Sequence, residues 1–319
     1  MALAIVTMAT MQRLRSFVRV LGWLTLGVVL VLTGIGAVYT PNTEIPAGVA
    51  GHHVTVAGVP LRVLQRGSGP DVLLIHGSPG CIEDWTPLID ALAGAARVTA
   101  YDRPGHGYSG DSGQYSYAHN ADVALALIRE LGLTHVTVVG HSYGGTTVLT
   151  LALRAAPAID AYVFVDGGAY TPPGVPGPIF ALLEPPLFGM GIAAVIGAPI
   201  ARRRVRDETP KMFRTMPPPP GLVALRAQLF STPKTVHALA KEWRGAAGWL
   251  AAQSPRYPSI HKPLHIIAQA EDAFRRETAQ RLHRDVAHSS LLLLRGAGHH
   301  LQIEKTDEVA AVIRNAIAL

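Results

Sequence analysis

Ser142 lies in Gly140-His141-Ser142-Tyr143-Gly144, the G-x-S-x-G spacing of a serine carried on a sharp strand-to-helix turn. An apolar β-type run, 135–139, precedes it. A helix-compatible run, 145–156, follows and stops at Pro157. Such a reversal pushes one side chain out at its tip. The residues two before and two after must be small, because the strand and helix backbones approach too closely for a Cβ. The serine then faces the positive N-terminal end of the helix. Serine is a weak nucleophile until a base takes its proton. Of the 14 histidines, His299 is the candidate, because Gly296-Ala297-Gly298-His299 follows the last strand-like run. A loop at the C-terminal edge of a parallel sheet is where ligands bind. His300, His141, His76 and His106 read as scaffolding. A third group must orient the imidazole and stabilise its cation. Asp272, at the same edge after the run 264–268, is expected to do this. Asp166, after 163–165, is the competitor, and Asp102 reads as a structural turn residue. A tetrahedral oxyanion needs preorganised donors. Those expected are the N–H of Tyr143 and the N–H of Ser78, in the loop His76-Gly77-Ser78-Pro79-Gly80.

These residues require a scaffold that brings strand ends together. Runs 52–56 and 61–65 flank Ala57-Gly58-Val59-Pro60 as a hairpin. Strand-like runs follow at 72–75, 97–101, 135–139, 162–165, 264–268 and 290–294. Helix-compatible stretches alternate with them at 82–92, 118–131, 145–156, 274–285 and 305–318. The strands are nearly continuous apolar runs, as in sheets covered on both faces. The alternation predicts a doubly wound, mostly parallel α/β sheet. Between residues 165 and 263 the strand signal disappears, and prolines cluster at 172–178 and 217–220. This reads as a helical insertion. Residues 170–258 carry 11 Lys+Arg against 4 Asp+Glu, while the whole chain is only +6. Arg202, Arg203, Arg204 and Arg206 are its densest cluster. The apolar stretch 179–200 contains Glu184, Pro185 and Pro186, which argue for a cap over the site rather than a second membrane span.

The N-terminal region belongs to another environment. Residues 20–39 carry no charge and suffice to cross a bilayer as a helix. Arg13, Arg15 and Arg19 precede them, and no Lys or Arg follows until Arg62. That asymmetry predicts a cytoplasmic N-terminus and a single-pass protein with its catalytic domain on the extracytoplasmic side. A cleaved signal peptide, with Gly48-Val49-Ala50 as a distant cleavage site, and secretion are the alternative. Residues 40–51 read as a flexible linker. A mean hydropathy of +0.25 agrees with a membrane segment. The chain is 49% hydrophobic and only 16% charged, ample for a large core. Cys81 is the single cysteine, so an intramolecular disulfide and a cysteine metal site are excluded. The pairs His52-His53 and His299-His300 lack metal-ligand spacing.

Several motifs carry a resemblance. The segment 75–80 resembles an HGxPG loop, 100–109 (Ala-Tyr-Asp-Arg-Pro-Gly-His-Gly-Tyr-Ser) resembles a second signature, and 140–145 and 296–299 match an elbow and a histidine loop. Together, over residues 50–318, the chain resembles the α/β-hydrolase fold family in its esterase and epoxide-hydrolase-like branch. The order Ser, Asp, His is that family's order. The acid loop departs from it, with Gln269-Ala270-Glu271-Asp272 where Gly-x-x-Asp is frequent. The resemblance implies an eight-stranded sheet with a helical cap after strand six. The expected units are 1–19 cytoplasmic, 20–39 transmembrane, 40–51 linker, 52–168 core, 169–260 cap and 261–319 core. Ser142 argues against the aspartate members that cleave epoxides or carbon–halogen bonds. The expected activity is carboxylic ester hydrolysis through an acyl-enzyme on Ser142, His299 and Asp272. A perhydrolase, lactonase or prolyl aminopeptidase on the same triad, or a non-catalytic binding protein, is the alternative. The expected partners are a small ester or acyl substrate and the membrane. No cofactor, metal or nucleic acid is expected.

Overall fold

The computed structural model describes residues 2–171 and 179–318. The proline-rich opening of the insertion, 172–178, lies outside them.

The sequence pattern of alternating apolar runs produces one eight-stranded sheet, in the order β1-β2-β4-β3-β5-β6-β7-β8. β1 (His52–Val56) and β2 (Val59–Arg66) form the expected hairpin, with a tighter turn than the sequence suggests. Its two central residues, Ala57 and Gly58, both have positive φ (48° and 81°). That conformation matches the right-handed twist of paired strands. β2 pairs antiparallel with β4 (Arg97–Tyr101). Every other pairing, among β3 (Asp71–Ile75), β4, β5 (Val136–His141), β6 (Ile159–Val165), β7 (Leu264–Gln269) and β8 (Ser289–Leu294), is parallel.

Parallel strands need crossovers, and these cover both faces. α3 (Tyr117–Glu130), α4 (Tyr143–Ala152) and α10 (Ala273–Asp285) bury Leu127, Leu149 and Leu282 against one face. α2 (Thr86–Leu92) and α11 (Thr306–Ile317) bury Leu88 and Ile313 against the other. β3 and β5 are buried throughout, so neither shows polar alternation. The parallel strands all end at one edge, where the loops of interest collect.

Between β6 and β7 the described chain is helical. It comprises α5 (Ile179–Leu182), α6 (Pro186–Ile192), a π-helical turn (Ala193–Gly197), α7 (Ala198–Glu208), α8 (Leu222–Leu229) and α9 (Pro233–Gln253). These form the cap. Its core is small: Leu183, Ile192, Ala193, Val236 and Ala240.

The N-terminal apolar stretch is a single helix, α1 (Ala2–Val38). Met11–Val38 within it has a mean hydropathy of 2.1, long and apolar enough for a membrane span or a signal sequence. The segment 40–51 is not the free tether expected from its prolines. Ile45 and Val49 pack beside Cys81, Tyr108, Leu229 and Phe230. The Ala50 carbonyl accepts Arg62 Nε at 3.0 Å and Nη2 at 2.7 Å. Ile45 and Val49, four residues apart, let this segment dock, which composition alone conceals.

Candidate active site

Ser142 links the end of β5 to the start of α4 with φ 55° and ψ −114°. A non-glycine residue there costs about 1–3 kcal/mol and persists only when its surroundings fix it. They do so through close packing. A Cβ on Gly140 would collide with the Gly144 carbonyl, and one on Gly144 with the Ile75 carbonyl. The elbow therefore needs both glycines. Ser142 is partly exposed between buried His141 and Tyr143. Its Oγ is hydrogen-bonded to none of the described residues.

His299 arrives from the loop after β8. His141 Nε2 meets the His299 carbonyl at 2.8 Å, and the two rings lie 4.6 Å apart. The residue before the serine thus holds the histidine loop at the same edge. The cap holds it from above, where His299 N–H donates to the Met212 carbonyl at 2.9 Å. Glu304 accepts the N–H of Gly298 at 2.7 Å and those of Arg214 and Thr215 at 2.7 and 2.8 Å. Burial drives the pKa of His141 far down, and the nearby His299 adds to this. His141 is therefore a neutral support.

The acid beside His299 is Asp166. Its Oδ2 lies 2.6 Å from His299 Nδ1. Asp166 directly follows β6, the strand next to β5, and is itself strained at φ 47°. Its oxygens also accept Gln269 N–H at 3.1 Å and Gln269 Nε2 at 2.9 Å. Burial alone would raise its pKa. The His299 hydrogen bond and charge, Arg275 and the Gln269 amide outweigh burial and hold it at about 2.

This corrects the expectation for Asp272. Asp272 is exposed and caps α10, its Oδ1 accepting the N–H of Arg275 at 2.9 Å. A carboxylate at an N-cap turns back to its own helix rather than across the sheet edge. The placement of Asp272 immediately before the helical run was a capping signal in the sequence. Asp166-Gly167-Gly168, directly after a buried strand, is the sequence signal for the carboxylate that meets His299.

Ser78 and Tyr143, the expected oxyanion donors, lie on either side of the elbow. A Cβ on Gly77 would stand 3.0 Å from Ser142 Cβ, so the 76–80 loop packs against the Ser142 turn. Neither the Ser78 N–H nor the Tyr143 N–H donates to a described residue.

The sequence profile of the alpha/beta hydrolase family matches residues 72–312. The chain belongs to that family. Several of its relatives are named as hydrolases, and one is an acetyltransferase component of an acetoin cleaving system. The 2-hydroxymuconate semialdehyde hydrolase of Pseudomonas sp. (strain CF600) is 24% identical over 273 residues, 84% of this chain and 94% of that protein. An epoxide hydrolase of Caballeronia sordidicola is 31% identical over 116 residues, and the match spans only 35% of each protein. Several other curated relatives are likewise matched over well under half their length. Among solved structures, the enol-lactonase of Burkholderia xenovorans LB400 superposes with a TM-score of 0.68 at 21% identity. It covers 84% of this chain and all of that one.

The hydrolase core and cap also meet in a buried polar network that the sequence reading missed. Arg103 is fully buried behind the 76–80 loop. Its Nε donates to the His76 carbonyl at 3.2 Å and its Nη2 to the Gly77 carbonyl at 2.8 Å. Its Nη1 donates to Asn120 Oδ1 at 3.1 Å and pairs with Glu242 of α9. Glu242 also accepts the Ser78 hydroxyl, and His106 Nε2 lies 3.3 Å from it. Burial would raise the pKa of Glu242, but Arg103 and His106 hold it well below the usual carboxylate range. The carbonyls of the loop are thus fixed toward Arg103. Asp102 is structural, accepting the N–H of Ile82 and of Tyr108, each at 2.8 Å. His300 is tied to Arg226, which pairs with the buried Asp84. Among the described residues, no cluster of three His, Cys, Asp or Glu side chains is arranged to hold a metal.

Proposed function

We propose that this hydrolase cleaves carboxylic esters through an acyl-enzyme on Ser142. His299 takes the Ser142 proton as Oγ attacks the ester carbonyl, then gives it to the departing alcohol. Water repeats the sequence to release the acid. Asp166 keeps the proton of neutral His299 on Nδ1, leaves Nε2 as the base, and stabilises the imidazolium that forms. The amides of Ser78 and Tyr143 receive the oxyanion. The observation that carries this reading is the 2.6 Å contact between buried Asp166 and His299 at the edge where Ser142 is held partly exposed. Asp166 and Glu242, two of the buried carboxylates at this edge, are both paired. Neither is free to take a substrate ammonium, which favours esters, lactones included, over peptides with a free N-terminus.

We also read α1 as a retained span with the catalytic domain outside the cytoplasmic membrane. Arg13, Arg15 and Arg19 flank its start, and no Lys or Arg follows it until Arg62.

The test compares wild type and Ser142→Ala on a short p-nitrophenyl ester, with peroxide-dependent and prolyl-anilide reactions alongside. The expected result is ester turnover well above the other two, falling at least about 10³-fold in the variant. Ester turnover unchanged in the variant overturns the assignment. Faster prolyl or peroxide chemistry replaces the ester reading with that one.

A further inference from the structure

The last turns of α1 do not stand apart from the cap. Leu32 packs against the cap core of Leu183, Ile192, Ala193, Val236 and Ala240. A Cβ on Gly36 would collide with the Leu187 carbonyl of α6, and one on Gly191 with the Leu32 carbonyl. The two helices therefore cross backbone against backbone, as small residues permit between helices in lipid. By contrast, every residue from 11 to 31 is exposed.

The position of this crossing along α1 fixes a depth. A span needs about 20 residues at 1.5 Å each to cross ~30 Å of hydrocarbon. With Arg19 at the inner interface, the apolar run from Val20 ends only at Tyr39. Leu32 lies ~10 Å and Gly36 ~5 Å before that end. A helix touching α1 at those two residues shares that depth. It matches the ~5–10 Å to which interfacial helices sink.

The cap surface suits such an environment. Leu187, Gly191 and Val195 follow at a spacing of four, so the apolar side chains on either side of the crossing continue its stripe. Leu187 is 49% exposed and Val195 50%, with Ile196 and Ile200 exposed beside them. One turn further, Arg202, Arg203, Arg204 and Arg206 are all exposed on α7. Apolar side chains followed by a basic cluster complement an acyl layer beneath anionic headgroups, each such charge contributing about 1 kcal/mol near the surface. The docked 40–51 segment keeps the core from swinging away from α1.

We infer that α6 and the π-helical turn of the cap are immersed in the outer leaflet around the exit of α1, with the α7 arginines at the headgroups. This inference rests on the reading of α1 as a retained span. It makes the enzyme a membrane-embedded hydrolase whose cap, and not only its tether, contacts lipid.

Single cysteines at Leu187, Val195, Val28 and Asp160, each carrying an environment-sensitive fluorophore, test it in the full chain. Cys81 is buried and does not compete for label. Asp160 begins β6, at the end of the sheet opposite the cap. The labelled proteins are reconstituted in phosphatidylcholine–phosphatidylglycerol vesicles with nitroxide on the upper acyl chain, and thermal melting confirms that each is folded. The expected result is loss of fluorescence at Leu187→Cys, Val195→Cys and Val28→Cys, and none at Asp160→Cys. Quenching at Val28 alone overturns the cap inference and leaves the span intact. No quenching at any position, Val28 included, overturns the span reading as well.

Discussion

Ser142 and Asp166 both occupy the left-handed region of backbone space, at the ends of neighbouring strands. Each turn aims a side chain up from the sheet edge where an unstrained residue would continue along the strand. The strain is offset by the packing of Gly140, Gly144 and Gly167 around the turns. Asp166→Asn should lower kcat by about 10⁴ on an ester substrate, because it leaves His299 in the wrong tautomer. Asp272→Asn should stay near wild type in activity, since asparagine caps a helix about as well as aspartate. The reverse pattern would return the acid role to Asp272. Asp166 also ties stability to pH. Its native pKa of about 2 lies below the unfolded value near 4. Its contribution, about 2 kcal/mol, is complete above pH ~4 and is lost as pH falls toward 2. Urea unfolding across that window should show this loss in wild type, with a shallower slope in Asp166→Asn.

At the scale of elements, what matters is which helix braces which loop. α9 is a cap helix, yet Glu242 reaches through to Arg103 and Ser78 at the 76–80 loop. The sequence marks this region as a helical insertion but shows neither α9 nor this contact. A single glutamate at residue 242 looks like any solvated helix charge until the tertiary packing buries it. Glu242→Gln keeps the shape and removes the charge that balances Arg103. It should cost about 3–5 kcal/mol of stability, as when one partner of a buried pair is lost. It should also lower kcat by about tenfold or more with little change in KM, because a displaced oxyanion donor acts on the transition state. A lower melting temperature with unchanged kcat would show that the bracing is structural only. The strands and the elbow were legible because period and glycine placement are local signals. The carboxylate that meets His299 was not, because two carboxylates follow neighbouring strands, and only the capping of α10 by Asp272 separates them.

For the molecule as a whole, the sheet, its winding and the inserted cap followed from the alternation of apolar runs, and the family match agrees with them. The docking of α1 and of residues 40–51 did not, because glycine-to-carbonyl crossings such as Gly36 on Leu187 leave no hydrophobic period to read. The proposed picture is a serine hydrolase held at a membrane by a span that also packs against its cap. Its central claim is that Ser142 is the nucleophile. The most direct measurement is intact-protein and peptide mass spectrometry after treatment with a fluorophosphonate. One phosphonyl adduct per chain is expected, mapped to Ser142, absent from Ser142→Ala and slowed in Asp166→Asn. Folded wild-type protein that takes no label, or takes it equally after Ser142→Ala, would contradict it.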